Sequence, residues 1–159
     1  PIESVRRLKT SVRVKPQFGE EEKFDYVFFA CHSDQALKIL HDPSVAETEI
    51  LGAIPYQENT VYLHHDASLM PKRKLAWAAW NYHVTATLAN RVAVTYNMNI
   101  LQNLQSEEPL LVTLNHTDLI NPAKVIKRLK YMHPVYTLAG AAAQARHAEI
   151  SGINRTGYA

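Results

Sequence analysis

Residues 23–31 read Lys23-Phe24-Asp25-Tyr26-Val27-Phe28-Phe29-Ala30-Cys31, a short and nearly continuous apolar run. A strand covered on both faces reads this way in sequence. Upstream, Val5, Val12 and Val14 stand among charges, and Pro16 to Glu22 reads as a turn around Gly19. Two ribbon strands therefore precede the covered one. Downstream, Ser33 or Asp34 can cap a helix whose apolar positions are Ala36, Leu37, Ile39 and Leu40, and Asp42-Pro43 stops it.

From Ile54 the texture changes. Thr60-Val61-Tyr62-Leu63-His64 alternates, and Leu75-Ala76-Trp77-Ala78-Ala79-Trp80-Asn81-Tyr82 alternates less strictly. In residues 91–99, Val92, Val94, Tyr96 and Met98 fall on one face and Ala93, Thr95 and Asn97 on the other. Leu110 to Leu114 makes a further run after Pro109, with a short helix at Ile100 to Leu104 between the two. Asn121-Pro122 opens another helix, and Lys130 to Thr137 is extended or an edge segment. Leu138 to Ile150 reads as a helix with Ala141, Ala142, Ala145 and Ala148 near one stripe, ended by Ser151-Gly152. Strands split by short turns give an α+β fold: a mixed, largely antiparallel twisted sheet packed with helices.

The composition excludes several functions. With 47% hydrophobic and 20% charged residues the chain is globular. Its 17 basic and 15 acidic residues leave a net charge of +2, and the basic ones are scattered. Nucleic-acid binding needs a concentrated basic surface, so none is expected. There is no apolar run near the ~20 residues of a membrane span and no signal-peptide pattern, so a cytoplasmic protein is expected. One cysteine, Cys31, rules out a disulfide within the chain, and its place at the end of an apolar run suggests a buried, inert thiol.

The five glycines are isolated, so neither a G-x-G-x-x-G turn nor a P-loop exists to cradle a pyrophosphate. His64-His65-Asp66 invites a metal, but on a strand the two histidines point to opposite faces. His64 with Asp66 gives two ligands where a catalytic zinc wants three, so no metal is expected, and Asp66-Ala67-Ser68 reads as a self-capping turn. No serine stands in a nucleophile elbow. The aromatic cluster Trp77, Trp80 and Tyr82, with Tyr56, Tyr62 and Tyr96, has two readings. It is either sheet core or a flat apolar cavity wall, with Asn81 offering a hydrogen bond.

The opening segment resembles one stretch of the flavin amine oxidase and phytoene desaturase superfamily. The resemblance lies in Pro1-Ile2 to Val5, Ser11 to Val14, the turn at Gly19, and Phe24 to Cys31 followed by the helix Ala36 to Leu40. Further motifs resemble a branch of bacterial NAD/FAD-binding proteins labelled flavin-containing amine oxidases. They are Tyr56-Gln57-Glu58-Asn59, Leu63-His64-His65-Asp66, Leu69-Met70-Pro71, Trp77 to Tyr82, Val94 to Asn99 and Tyr131 to Tyr136.

The resemblance implies an internal piece of a FAD-dependent oxidoreductase that passes hydride from a small-molecule substrate to flavin. Residues 1–40 would be the edge of the FAD domain and residues 41–159 a substrate-side domain. Ile2 would lie near the adenine and Ala30 beside the cofactor, while Trp77, Trp80, Asn81 and Tyr82 are candidates for the substrate cavity. The expected partners are the substrate, the remainder of the FAD domain and, through exposed apolar surface, further copies of the chain. The catalytic residues are not assigned. The competing reading is a non-catalytic binding domain with an aromatic-lined groove for a hydrophobic ligand.

Overall fold

A computed structural model describes residues 1–84 and 93–159. Its strands, in chain order, are β1 (Ile2–Arg7), β2 (Val12–Pro16), β3 (Glu22–Phe24), β4 (Val27–Phe29) and β5 (Tyr56–His64). They continue as β6 (Trp80–Tyr82), β7 (Val94–Asn97), β8 (Leu111–Leu114), β9 (Val125–Pro134) and β10 (Thr156–Tyr158). The helices are α1 (Ser33–Ile39), α2 (Val45–Gly52), α3 (Met98–Leu101) and α4 (Leu138–Ala145). The fold is α+β with largely antiparallel pairing, as the alternation predicts. No described helix is long and apolar enough to cross a membrane.

The chain forms two compact units, residues 1–57 with 134–159, and residues 58–133. The sequence division at 40/41 differs from this. Helices α2 and α4 and strand β10 belong with the first unit because α2 packs on α1, α4 packs on α2 and β10 pairs with β4.

In the first unit β1, β2 and β3 form an antiparallel ribbon, with Val5 opposite Val14 and Val12 opposite Phe24. Val5 and Val12 point into a core shared with Phe29, Leu40, Ile50 and Tyr158. The apolar run 23–31 is not one covered strand. It breaks at Asp25-Tyr26: β3 stays in the ribbon, while β4 leaves it to pair in parallel with β10. Phe29 is buried, but Phe28 is 65% exposed and Tyr26 is exposed too. Cys31, expected inside, is exposed, since the chain has left the sheet by Ala30. Gly157 stands opposite Phe28, and a Cβ there would meet the Phe28 ring at 2.6 Å. Only glycine fits that close approach without a shift.

Helix α1 starts from His32, not from Ser33 or Asp34, and Asp34 instead accepts from the Gln35 N–H at 2.9 Å. Helix α2 was not expected. Ser44 and Glu47 close a reciprocal capping box at its start, which satisfies two orphan N–H groups. Helix α4 ends earlier than the alanine pattern suggests, with a 3-10 turn at His147–Glu149 following it. Its buried positions are Gly140 and Ala143, while Ala141, Ala142, Ala145 and Ala148 are exposed. Small residues all round a helix give no stripe to orient it.

In the second unit five strands are ordered β6-β7-β8-β5-β9. The register sets Val61, Leu114, Val94 and Tyr82 in one row and Tyr62, Thr113, Thr95 and Asn81 in the next. Because side chains alternate, the first row faces an apolar cluster and the second a polar one. The alternation read over residues 93–97 holds; Arg91 and Val92 lie outside the described residues. Residues 75–79 are not strand. A 3-10 turn at Lys74–Ala76 precedes the short β6. Asn121-Pro122 opens one 3-10 turn rather than a longer helix, with the Asn121 side chain accepting from Ala123.

Candidate functional site

In the first unit, β1 runs beside the end of α1: Val5 and Leu40 form a parallel bridge, and the His41 N–H donates to the Val5 carbonyl at 2.8 Å. Strand β4 leads through Ala30 and Cys31 directly into α1. These two connections leave a cavity of about 620 Å³, within the range of small-molecule sites. Ile2 and Ala30 both line it, together with Val14, Phe28, Gln35 and Lys38. The two positions that the resemblance links to a cofactor therefore share one cavity.

The chemistry of the walls is selective. Val14, Val27, Phe28 and Ile39 offer flat apolar surface, and Gln35 and Lys38 add polar groups on one side. The first turn of α1 has little to give an anion. The Ser33 N–H already donates to the Tyr56 hydroxyl at 2.9 Å, the Gln35 N–H to Asp34, and the Asp34 carboxylate sits there itself. The His32 ring stacks on Tyr56 at 4.6 Å and holds the same corner. The walls are mostly apolar, and no row of N–H groups at the start of α1 is left for an anion. Burial, and then the nearby Asp34, push the Cys31 thiol up, so it is held in the unreactive form despite its exposure.

The four residues expected at a substrate cavity are not brought together. Trp77 directs its indole N–H to the Pro71 carbonyl at 2.8 Å, with the Lys74 ammonium 6.0 Å from its ring. Asn81 is buried, and its amide is engaged with backbone: it accepts from Ala78 N–H and donates to the carbonyls of Ala78 and Thr95. It shapes the turn into β6 rather than presenting a group to a ligand. Trp80 and Tyr82, on the other face of β6, are each 65% exposed, and Trp80 meets Tyr96 edge to face at 5.0 Å.

His64 and His65 do face apart. His64 is fully buried, whereas His65 reaches the Pro109 carbonyl at 3.0 Å. Asp66 caps the 3-10 turn Ala67–Leu69 by accepting from Ser68, and it also accepts from Asn121 at 2.8 Å. Burial would push its carboxyl up, but these N–H groups and Lys124 outweigh that and bring it to about 2. Among the described residues no three metal-ligating side chains converge.

Two buried networks were not read from the sequence. In the first unit Arg7 forms a two-pronged pair with Glu47 at 2.5 and 2.9 Å, and the Tyr158 hydroxyl donates to the same carboxylate at 2.7 Å. Arg7 also contacts Asp42, through both its side chain and its carbonyl. Burial raises the Glu47 carboxyl, but hydrogen bonds from Arg7, Ser44 and Tyr158 overcome this and lower it to about 2. The motif Ser44-Val45-Ala46-Glu47 was the available signal. In the second unit a chain of hydrogen bonds joins Asp66, His64, Thr113, Thr95 and His83. The polar residues Thr95 and Asn97, alternating with apolar ones on β7, marked that face.

Solved structures that share this fold include two enzymes. One is a CLA-producing fatty acid isomerase from P. acnes, with a TM-score of 0.60 and 14% identity over 99% of this chain. The other is cyclohexylamine oxidase from Brevibacterium oxydans IH-35A, with a TM-score of 0.54 and 8% identity over 100% of it. This chain spans 41% and 42% of their respective lengths. At such identities the likeness is one of fold. No family model and no curated protein sequence matches the chain.

Proposed function

We propose that this chain is part of a FAD-dependent oxidoreductase, in which it walls the adenine end of the cofactor and contributes a face of the substrate chamber. The observation that carries this reading is the meeting of Ile2 and Ala30 at one largely apolar cavity. The sequence resemblance assigns cofactor roles to both positions, and the fold is shared with an oxidase. Adenine suits apolar walls, and the absence of a free N–H cluster at α1 is consistent with the pyrophosphate being held by other parts of the FAD domain. The flavin supplies the hydride-accepting chemistry when bound; these residues orient and shield it. Trp80 and Tyr82 are the rings left to face a small-molecule substrate. Trp77 and Asn81 hold the turn that presents them.

The test is a titration with ADP, the adenine half of FAD, followed by backbone NMR. The reading expects saturable shifts confined to Ile2, Val14, Ala30, Gln35 and Lys38, abolished by Ala30→Trp. Shifts that are scattered, or that persist in the Ala30→Trp variant, contradict the reading.

A further inference from the structure

The hydrogen-bond chain on the polar face of the second sheet has a direction. The Asp66 backbone N–H donates to His64 Nδ1 at 3.0 Å. A backbone amide can only donate, so Nδ1 carries the lone pair and the neutral ring's proton is on Nε2. That Nε2–H donates to Thr113 Oγ1 at 2.8 Å. Each hydroxyl has one hydrogen. The Thr113 hydrogen therefore points to Thr95 Oγ1 at 2.7 Å, and the Thr95 hydrogen to His83 Nε2 at 2.8 Å. His64, Thr113 and Thr95 are fully buried, so water cannot substitute for a missing partner.

The direction set at Asp66 thus fixes the state of His83, three strands away in the order β5-β8-β7-β6. His83 must accept at Nε2, which a protonated ring cannot do. A proton there would place two donors face to face. Thr95 and Thr113 could both turn round, but His64 could not, because its Nδ1 is committed to the amide. The chain cannot serve as a proton conduit either, since it ends on a backbone N–H.

We propose that this chain is an acid-sensitive latch: it ties β6 to β7 while His83 is neutral and is broken when His83 takes up a proton. His116 is the titratable neighbour of His83, with ring centroids 5.1 Å apart, and its buried Nδ1 has no hydrogen-bond partner among the described residues. At the far end His65 and Asp66 flank His64. Burial, and secondarily His116, hold His83 below its ordinary value of 6.5, which agrees with the geometry. Strand β6 carries Trp80 and Tyr82, so acid loosens the strand that presents both exposed rings.

The sign follows from linkage. His83 binds a proton more readily unfolded than folded, so the latch is intact above pH 6.5 and is lost as pH falls from there through its folded value. Nitrogen-detected NMR of the whole chain reads the tautomers directly. His64 is expected as the Nε2–H form and His83 as the Nδ1–H form; His83 with its proton on Nε2 overturns the proposal. Thr113→Val then separates direction from burial. The valine keeps the site covered but frees Thr95 to turn, so the His83 midpoint rises toward its ordinary value, and Thr113→Ser restores the low midpoint. An unmoved midpoint in a folded Thr113→Val protein shows that burial alone acts on His83. Should that variant fail to fold, the tautomer measurement on the unsubstituted chain still decides.

Discussion

In residues 1–57 with 134–159 the buried charges form a pair, Arg7 and Glu47, in a unit with a broad apolar core. In residues 58–133 the apolar cluster is small, centred on Val61, Val94 and Leu114; Asp66 is the buried carboxylate there, and the strands are crossed by a neutral chain of two hydroxyls and an imidazole. Both arrangements satisfy their donors and acceptors. They differ in what holds them in place. The charged pair joins β1 to α2 and, through Tyr158, to β10, which are distant in sequence. The neutral chain joins adjacent strands of one sheet. A buried ion pair adds little over a well-packed apolar pair, yet losing one partner is severe because a bare charge remains. A neutral chain fails more gently, one hydrogen bond at a time.

The largest effect is therefore expected at the ion pair. Arg7→Ala leaves Glu47 buried and unpaired and should cost about 3–5 kcal/mol in denaturant unfolding. Replacing both residues, Arg7→Met with Glu47→Leu, should recover much of this, and a double variant as weak as the single one would show that packing around Arg7 matters more than its charge. Acid sharpens the comparison. Glu47, at about 2 when folded against 4.5 ordinarily, contributes stability that is complete above pH 4.5 and lost as pH falls toward 2. His83 loosens the other unit earlier, from pH 6.5 downward. Residue-resolved hydrogen exchange should show β6 and β7 losing protection before β1 and β10; a simultaneous loss would remove the distinction.

A smaller effect is expected in the neutral chain. Thr95→Val strands both Thr113 and His83 and should cost about 1–3 kcal/mol. The smallest concerns the start of α2. Ser44→Ala removes the acceptor for the Glu47 N–H and should cost about 0.5–2 kcal/mol, measured by thermal or denaturant unfolding. An effect as large as that of Arg7→Ala would mean that Ser44 also places the Glu47 carboxylate.

The strands were legible where the two faces differ in polarity, as in β5, β7 and β8. Helix α2 was hidden because a position it buries is a carboxylate, Glu47, whose partner Arg7 lies forty residues away. No periodicity of apolar residues can reveal such a site. Residues 75–79 deceived for the opposite reason: aromatic and alanine residues look strand-like, but the Trp77 indole and the Asn81 amide bind nearby backbone and bend it into turns. Motif resemblance singled out Ile2 and Ala30, and both line one cavity. The directed chain to His83 depends on cross-strand register, which sequence alone does not give.

The parallel pairing of β4 with β10 carries a consequence for synthesis. Residues 27–29 find their partner strand only after residue 158 has been joined to the chain. At ribosomal rates of roughly 5–20 residues per second, that wait is on the order of ten seconds. Throughout it Phe28 and Phe29 lack the strand that flanks them, while residues 58–133 are being added in between. A nascent chain stalled between residues 134 and 155 would thus carry an unclosed, sticky aromatic edge at β4, and that is the stage at which a chaperone would find most to hold.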